Sequence, residues 1–131
     1  MIADRGWQWG FLVYAPIIRR SLIEIPGFHI LNAHGGLLPA YRGMSTGSYA
    51  QLARDPLGAT VHLVEEAIDT GPIIARRVCD QAADVEDTQI GLLAEVLRHI
   101  QDDGRVTWVP QSRQDGRQYY RMHPTLRQMV V

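Results

Sequence analysis

Three polar residues stand where the chain could do chemistry. Asn32 and His34 lie two positions apart at the end of the apolar run Phe28-His29-Ile30-Leu31, and Asp69 lies in the turn Ile68-Asp69-Thr70-Gly71-Pro72. A strand through the apolar run, with its period of two, sends the Asn32 and His34 side chains to the same side of a sheet. Open α/β sheets bind ligands at that carboxyl end of their strands. After Asp69, Thr70-Gly71-Pro72 lets the backbone come close to a ligand. An amide, an imidazole and a carboxylate are a workable set for acyl transfer. The amide donates to a developing oxyanion, the imidazole moves a proton, and the carboxylate orients the imidazole or relays the proton. Each residue also has an ordinary structural use. Asn at a strand end caps turns, Asp before Thr-Gly closes an Asx turn, and single histidines are mostly hydrogen-bonded within a fold. Spacing alone leaves both readings open.

The elements that must position these groups follow from periodicity. Phe11-Leu12-Val13-Tyr14 reads as a short buried strand stopped by Pro16. Ile17, Ile18, Leu22 and Ile25 recur at helical spacing, closed by Pro26-Gly27. Phe28 to Leu31 is a second strand, running into the polar, glycine-bearing end Asn32-Ala33-His34-Gly35-Gly36. Leu37 to Gly43 is expected to be a loop, Ser45 to Ala53 a helix, and Gly58 to Val64 and Ile73 to Cys79 strands. A helix starts between Asp84 and Asp87 and runs to about His99, with Ile90, Leu93, Leu97 and Ile100 on its apolar face and Gly104 as its stop. Val106 to Val109 and Gln118 to Met122 are late short strands. The order gives an α/β sheet whose later strands look antiparallel. A doubly wound sheet ordinarily opens on a βα unit with its own glycine turn. This chain opens on what reads as a middle strand.

Composition narrows the chemistry. With 131 residues, 46% hydrophobic and 21% charged, the chain is one globular domain at most. A net charge of −1 gives no bulk attraction to nucleic acid or anionic membrane. All 13 basic residues are Arg, which removes lysine Schiff-base chemistry and the P-loop lysine. The single Cys79 excludes an internal disulfide and any multi-cysteine zinc site, and the five His have no metal-ligand spacing. No apolar run approaches the roughly 18–20 residues of a membrane helix, and MIADRGWQWG lacks the features of a signal peptide. The expectation is a soluble, cytoplasmic protein with no metal, no nucleic acid and no membrane partner.

Three blocks in register carry a resemblance: Asn32-Ala33-His34-Gly35-Gly36-Leu37-Leu38-Pro39-Ala40-Tyr41-Arg42-Gly43, then Gly58-Ala59-Thr60-Val61-His62, then Ile68-Asp69-Thr70-Gly71-Pro72-Ile73-Ile74. Together they resemble the formyltransferase superfamily, which includes the glycinamide ribonucleotide, methionyl-tRNA and sugar N-formyltransferases. The likeness runs from about Phe11 to about His99. It implies an open, mostly parallel Rossmann-like sheet of the formyltransferase type lacking its first βα units. Residues 1–131 would then be a single partial catalytic domain, with a core of about 11–103 and a C-terminal extension, 104–131.

The implied activity is transfer of a formyl group from 10-formyltetrahydrofolate to a primary amine of a small-molecule acceptor. By the resemblance, Asn32 would hydrogen-bond the tetrahedral oxyanion. His34 would stabilise that charge or shuttle the amine proton, and Asp69 would orient His34 and pass protons through water. His62 matches a frequent family histidine near the site; a plain strand histidine is the equal alternative. The family's folate pocket uses segments matched here by Ala15-Pro16-Ile17-Ile18 and by Glu65-Glu66-Ala67-Ile68, although Ile17 and Ile18 read equally well as core. Gly35 and Gly36 stand where many relatives have Pro and Ser, and Leu63 replaces a commoner aromatic.

Without the upstream units the first strands would expose an edge and a face, so a second copy or a partner is expected to cover them. Trp7 and Trp9 are placed to cover part of that face. Two other readings are a 10-formyltetrahydrofolate hydrolase, with water as nucleophile, and a non-catalytic fragment or subunit needing a partner.

Overall fold

A computed structural model describes residues 3–14 and 17–130, so Ala15 and Pro16 of the expected folate segment lie outside the described residues. Strands β1 (Trp9–Val13), β2 (His29–His34), β4 (Leu57–Leu63) and β5 (Ile73–Cys79) form one sheet in the order β1-β2-β4-β5. A second, two-stranded sheet joins β3 (Tyr41–Gly43) to β6 (Arg117–Tyr119). Helices α1 (Arg20–Ile23), α2 (Thr46–Ala53), α3 (Val85–Asp103) and α4 (Pro124–Arg127) complete the regular structure.

Alternation on β2 and β4 divides the sheet into two faces. Leu31 and Ala33 of β2 and Val61 of β4 point to α3, where Leu92, Leu93, Val96 and Ile100 close the core over them. Burying a Leu or Val is worth roughly 1.5–3 kcal/mol apiece, so this layer supplies most of the cohesion. Asn32 pairs across the sheet with His62, and His34 with Thr60, which places the polar groups on the face away from α3. Gly58 is required by close approach: a Cβ there would lie 2.2 Å from the Arg77 carbonyl oxygen. Gly104 stops α3 in the left-handed conformation, φ +73°, with its N–H on the Ile100 carbonyl.

The α/β class stands, and the sheet is mixed rather than mostly parallel: β1 pairs with β2 in parallel, while the β2–β4 and β4–β5 pairs are antiparallel. The chain returns directly from β4 to β5, whereas between β2 and β4 it passes through β3 and α2. Four local expectations are also corrected. The segment Leu37 to Gly43 is not all loop, because Tyr41–Gly43 pairs with β6, Tyr41 opposite Arg117, a pairing that local pattern does not reveal. Val106 to Val109 contributes only one bridge, Val109 to Ile73. The helix expected around Ile17 to Ile25 shrinks to Arg20–Ile23, and Ile17 is 83% exposed. On α3 the buried stripe runs through Gln89, Leu92, Leu93, Val96 and Ile100, while Ile90 sits a third of a turn away and is half exposed. Trp9 packs against the core and tilts on His29, whereas Trp7 is 58% exposed.

Candidate active site

The four polar residues come together at the carboxyl end of β2. Asp69 follows β4 in a left-handed conformation, φ +51°, that Asp tolerates better than most residues, and its carboxylate lies between two imidazoles. Oδ2 is 3.5 Å from His34 Nδ1 and Oδ1 is 3.3 Å from His62 Nε2. The Gly43 N–H donates to Oδ2 at 2.8 Å. Asn32 Nδ2 lies 3.2 Å from His62 Nε2. His34 and His62 are buried, whereas Asn32 and Asp69 are only partly buried.

The outer nitrogens settle where the protons sit. His34 Nε2 is 2.7 Å from the Tyr41 carbonyl oxygen and His62 Nδ1 is 2.8 Å from that of Leu63. A carbonyl only accepts, so both outer nitrogens carry hydrogen. His62 Nε2 lies within reach of both the Asn32 amide and Asp69 Oδ1. A further proton in the cluster belongs to His34 Nδ1, facing Asp69 Oδ2. Burial lowers the His34 pKa below its ordinary value, against the opposing pull of Asp69 and the Tyr41 carbonyl. For Asp69, burial pushes the carboxyl up, but the His62 hydrogen bond, the His34 charge and the Gly43 N–H outweigh it and leave the pKa below the usual carboxylate range. The result is an ionised carboxylate beside an imidazole held neutral and ready to accept a proton.

Local packing fixes the loop that carries these groups. Thr60 Oγ1 donates to the Gly36 carbonyl and accepts from the Leu38 N–H, and Thr46 Oγ1 donates to the Gly35 carbonyl. Gln89 of α3 donates to the Ala33 carbonyl. Gly36 leaves no room for a side chain, since a Cβ there would be 2.8 Å from His34 Nε2. Tyr41 is anchored by its hydroxyl on Asp55, 2.5 Å away, and so presents its carbonyl to His34.

The expected folate segments fare differently. Glu65 and Glu66 are exposed, Ala67 is half-buried and Ile68 is 41% exposed, all in the loop leading into Asp69. Ile17 projects into solvent and Ile18 is half-buried, which places Ile17 outside the core. A cleft of about 750 Å³ lies elsewhere, along β5 between Leu37, Arg76, Val109 and Gln111. Among the described residues no His, Cys, Asp or Glu group of three or more is arranged to hold a metal ion. Sequence reasoning missed the Gly43 N–H, the Tyr41 carbonyl and Gln111. The first two lie within a block already singled out; for Gln111 no local pattern marks it.

Comparison with known proteins identifies the family and the fold. The formyl transferase family matches residues 11–101. A methionyl-tRNA formyltransferase from Halorhodospira halophila is 35% identical over 101 residues, covering 76% of this chain and 32% of that protein. A sugar N-formyltransferase from a Shewanella species superposes with a TM-score of 0.76 at 20% identity, covering 98% of this chain and 59% of that one. A formyltransferase from Anoxybacillus kamchatkensis, solved with UDP-4,6-dideoxy-4-formamido-L-AltNAc and tetrahydrofolate, superposes with a TM-score of 0.71 at 22% identity, covering 88% of this chain and 63% of that one. The chain thus spans about a third of the first curated relative and under two thirds of these solved structures. With the family match covering most of its length and the fold agreeing, this chain belongs to the formyltransferase family.

Proposed function

We propose that the chain carries the reaction centre for formyl transfer from 10-formyltetrahydrofolate to the primary amine of a small acceptor, with Asn32, His34 and Asp69 as the working groups. The observation that carries this reading is the Asp69 carboxylate held between two buried imidazoles beside the accessible Asn32 amide. The acceptor amine attacks the formyl carbon, forming a C–N bond while the carbonyl oxygen becomes an oxyanion. Asn32 Nδ2–H donates to that oxyanion. The amine loses a proton to His34 Nδ1, where the developing imidazolium is held by Asp69 Oδ2 and the Tyr41 carbonyl. The same proton then goes to N10 of the folate as the C–N10 bond breaks, releasing tetrahydrofolate and the formamide. His62, against both Asn32 and Asp69, holds the two in register. The segment Glu65 to Ile68, with Ile17 and Ile18, is the proposed folate-facing surface; it adjoins Asp69 along the chain. The Anoxybacillus neighbour, solved with tetrahydrofolate and a formamido sugar nucleotide, supports both a folate donor and an amino-sugar class of acceptor.

A second acceptor, methionyl-tRNA, is favoured by the curated relatives, the first of which carry that name. A single assay separates the readings. The chain is given 10-formyltetrahydrofolate with an amino-sugar nucleotide, with methionyl-tRNA, or with no acceptor, and tetrahydrofolate release is followed. Formamide formed only with the sugar nucleotide, and lost in Asp69→Asn, is the expected outcome. Equal release without any amine would make it a hydrolase. No release with any acceptor by a folded chain would overturn formyl transfer by this chain alone. The open edge of β1, which pairs only with β2, is the proposed seat of a second copy or of a partner segment that completes the sheet.

A further inference from the structure

Arg42 on β3 is 4% exposed, and its Nε is buried without a partner among the described residues. A buried cation is costly unless its donors are satisfied, and here the acceptors that receive its Nη protons are neutral and come from one segment. Nη1 donates to the Arg113 carbonyl at 3.1 Å. Nη2 donates to the Ser112 carbonyl at 2.8 Å and to Gln111 Oε1 at 3.0 Å. Because a guanidinium only donates, Gln111 must turn its oxygen towards Arg42, and its NH₂ is thereby aimed the other way. There it donates to the carbonyls of Asp69, at 3.0 Å, and Gly71. Those two carbonyls bracket the turn that holds Asp69 at φ +51°, and Gly71 is pressed so close to β4 that a Cβ would lie 1.7 Å from the Leu63 carbonyl oxygen. Left-handed backbone at a non-glycine residue persists when its surroundings over-determine it. The residue after Arg42 is Gly43, whose N–H holds the carboxylate of the same aspartate.

We propose that Gln111, oriented by the buried Arg42, is a positioning residue that fixes the Asp69–Gly71 turn and so holds the carboxylate between His34 and His62. The segment after α3 is then part of the working centre, although the family match ends at residue 101. The brace is continuous. Beyond Gln111 the chain returns as β6 beside β3, where Arg117 N–H bonds the Ala40 carbonyl and the Tyr119 ring stacks on Tyr41 at 5.1 Å. β3 is therefore tied to this segment twice, through Arg42 and through β6, and touches Asp69 through Gly43. This inference rests on the formyl-transfer reading for its catalytic meaning; its geometry does not.

The test is nuclear magnetic resonance on the full chain, which needs no substrate. The His34 ring nitrogens are titrated, and hydrogen exchange of the Gly43 amide is followed, in wild type, Asp69→Asn and Gln111→Met. Asp69 raises the His34 pKa, so Asp69→Asn is expected to lower the His34 midpoint. Folded Gln111→Met is expected to reproduce at least half of that fall and to exchange the Gly43 amide tenfold faster or more. Wild-type titration and wild-type Gly43 protection in folded Gln111→Met would overturn the proposal, as would an unchanged His34 midpoint in Asp69→Asn. Should Gln111→Met not fold, Gln111→Glu keeps the link to Arg42 while removing the donors to the turn. It is read on the Gly43 amide alone: faster exchange supports the brace, unchanged exchange sinks it. Absence of formyl transfer by wild type would defeat the functional reading and leave these readouts standing.

Discussion

β4 and β1 belong to one sheet and have opposite fates. β4 has a strand on either side and α3 across one face, and its five central residues are buried. β1 has β2 alone, none of its residues is buried, and Phe11 and Tyr14 beside it are more than half exposed. Both strands are rich in apolar residues; neighbours, not composition, make the difference. The candidate site sits on β2 and after β4, the strands with neighbours on both sides.

That contrast can be broken or sharpened by measurement. The largest effect is expected at the site itself. Asn32→Ala should lower formyl transfer by roughly 10²–10³-fold, the usual cost of one oxyanion donor, with the melting temperature nearly kept. An unaltered turnover number would remove Asn32 from the mechanism. Next comes packing. Leu31→Ala, at a site with no exposure, should cost about 2–5 kcal/mol in urea unfolding, while Phe11→Ala on β1 should cost less than about 1 kcal/mol. Equal costs would mean that β1 is covered in solution, by a second copy or another segment.

A smaller effect separates the two regions by pH. The folded pKa of His34 is lowered by burial, so between that value and the unfolded value of about 6.5 the unfolded chain binds the extra proton. Stability is then fullest above about pH 6.5 and falls as the solution is acidified through that window. Asp69 is depressed and adds a further loss only as pH falls below about 4, its unfolded value. The slope just below about pH 6.5 should flatten in His34→Gln, read from melting temperatures; an unchanged slope would place the proton elsewhere. The smallest effect is expected at Trp7→Ser, within about 0.5 kcal/mol of wild type, because Trp7 is exposed.

How much of this the chain announces depends on the range of the interactions involved. The β4 and β5 strands, α2, the stop at Gly104 and the Asn32–His34 pair are governed by local pattern and by the step of two along a strand. They are legible at the scale of a few residues. The β3–β6 sheet is not, because its partners Tyr41 and Arg117 are far apart in the chain and no local pattern links them. The buried face of α3 was misjudged at Ile90 for a related reason: Gln89 takes an inward position to reach the Ala33 carbonyl, so a polar residue occupies the stripe and an isoleucine faces out. In the site, His34 and Asp69 were readable as residue types, but their partners are mostly backbone groups, the Tyr41 and Leu63 carbonyls and the Gly43 N–H, and every residue has those.

Asn32 and His62 are direct partners across the β2–β4 ladder. If β4 slipped by one residue against β2, His62 would turn into the hydrophobic layer under α3 and Val61 would come out to face the amide. A molecule folded in that wrong alignment would contain every reactive residue and have no centre. On the proposed reading, catalytic competence and correct strand alignment are one event, and turnover per mole of protein would count the correctly aligned molecules in a preparation.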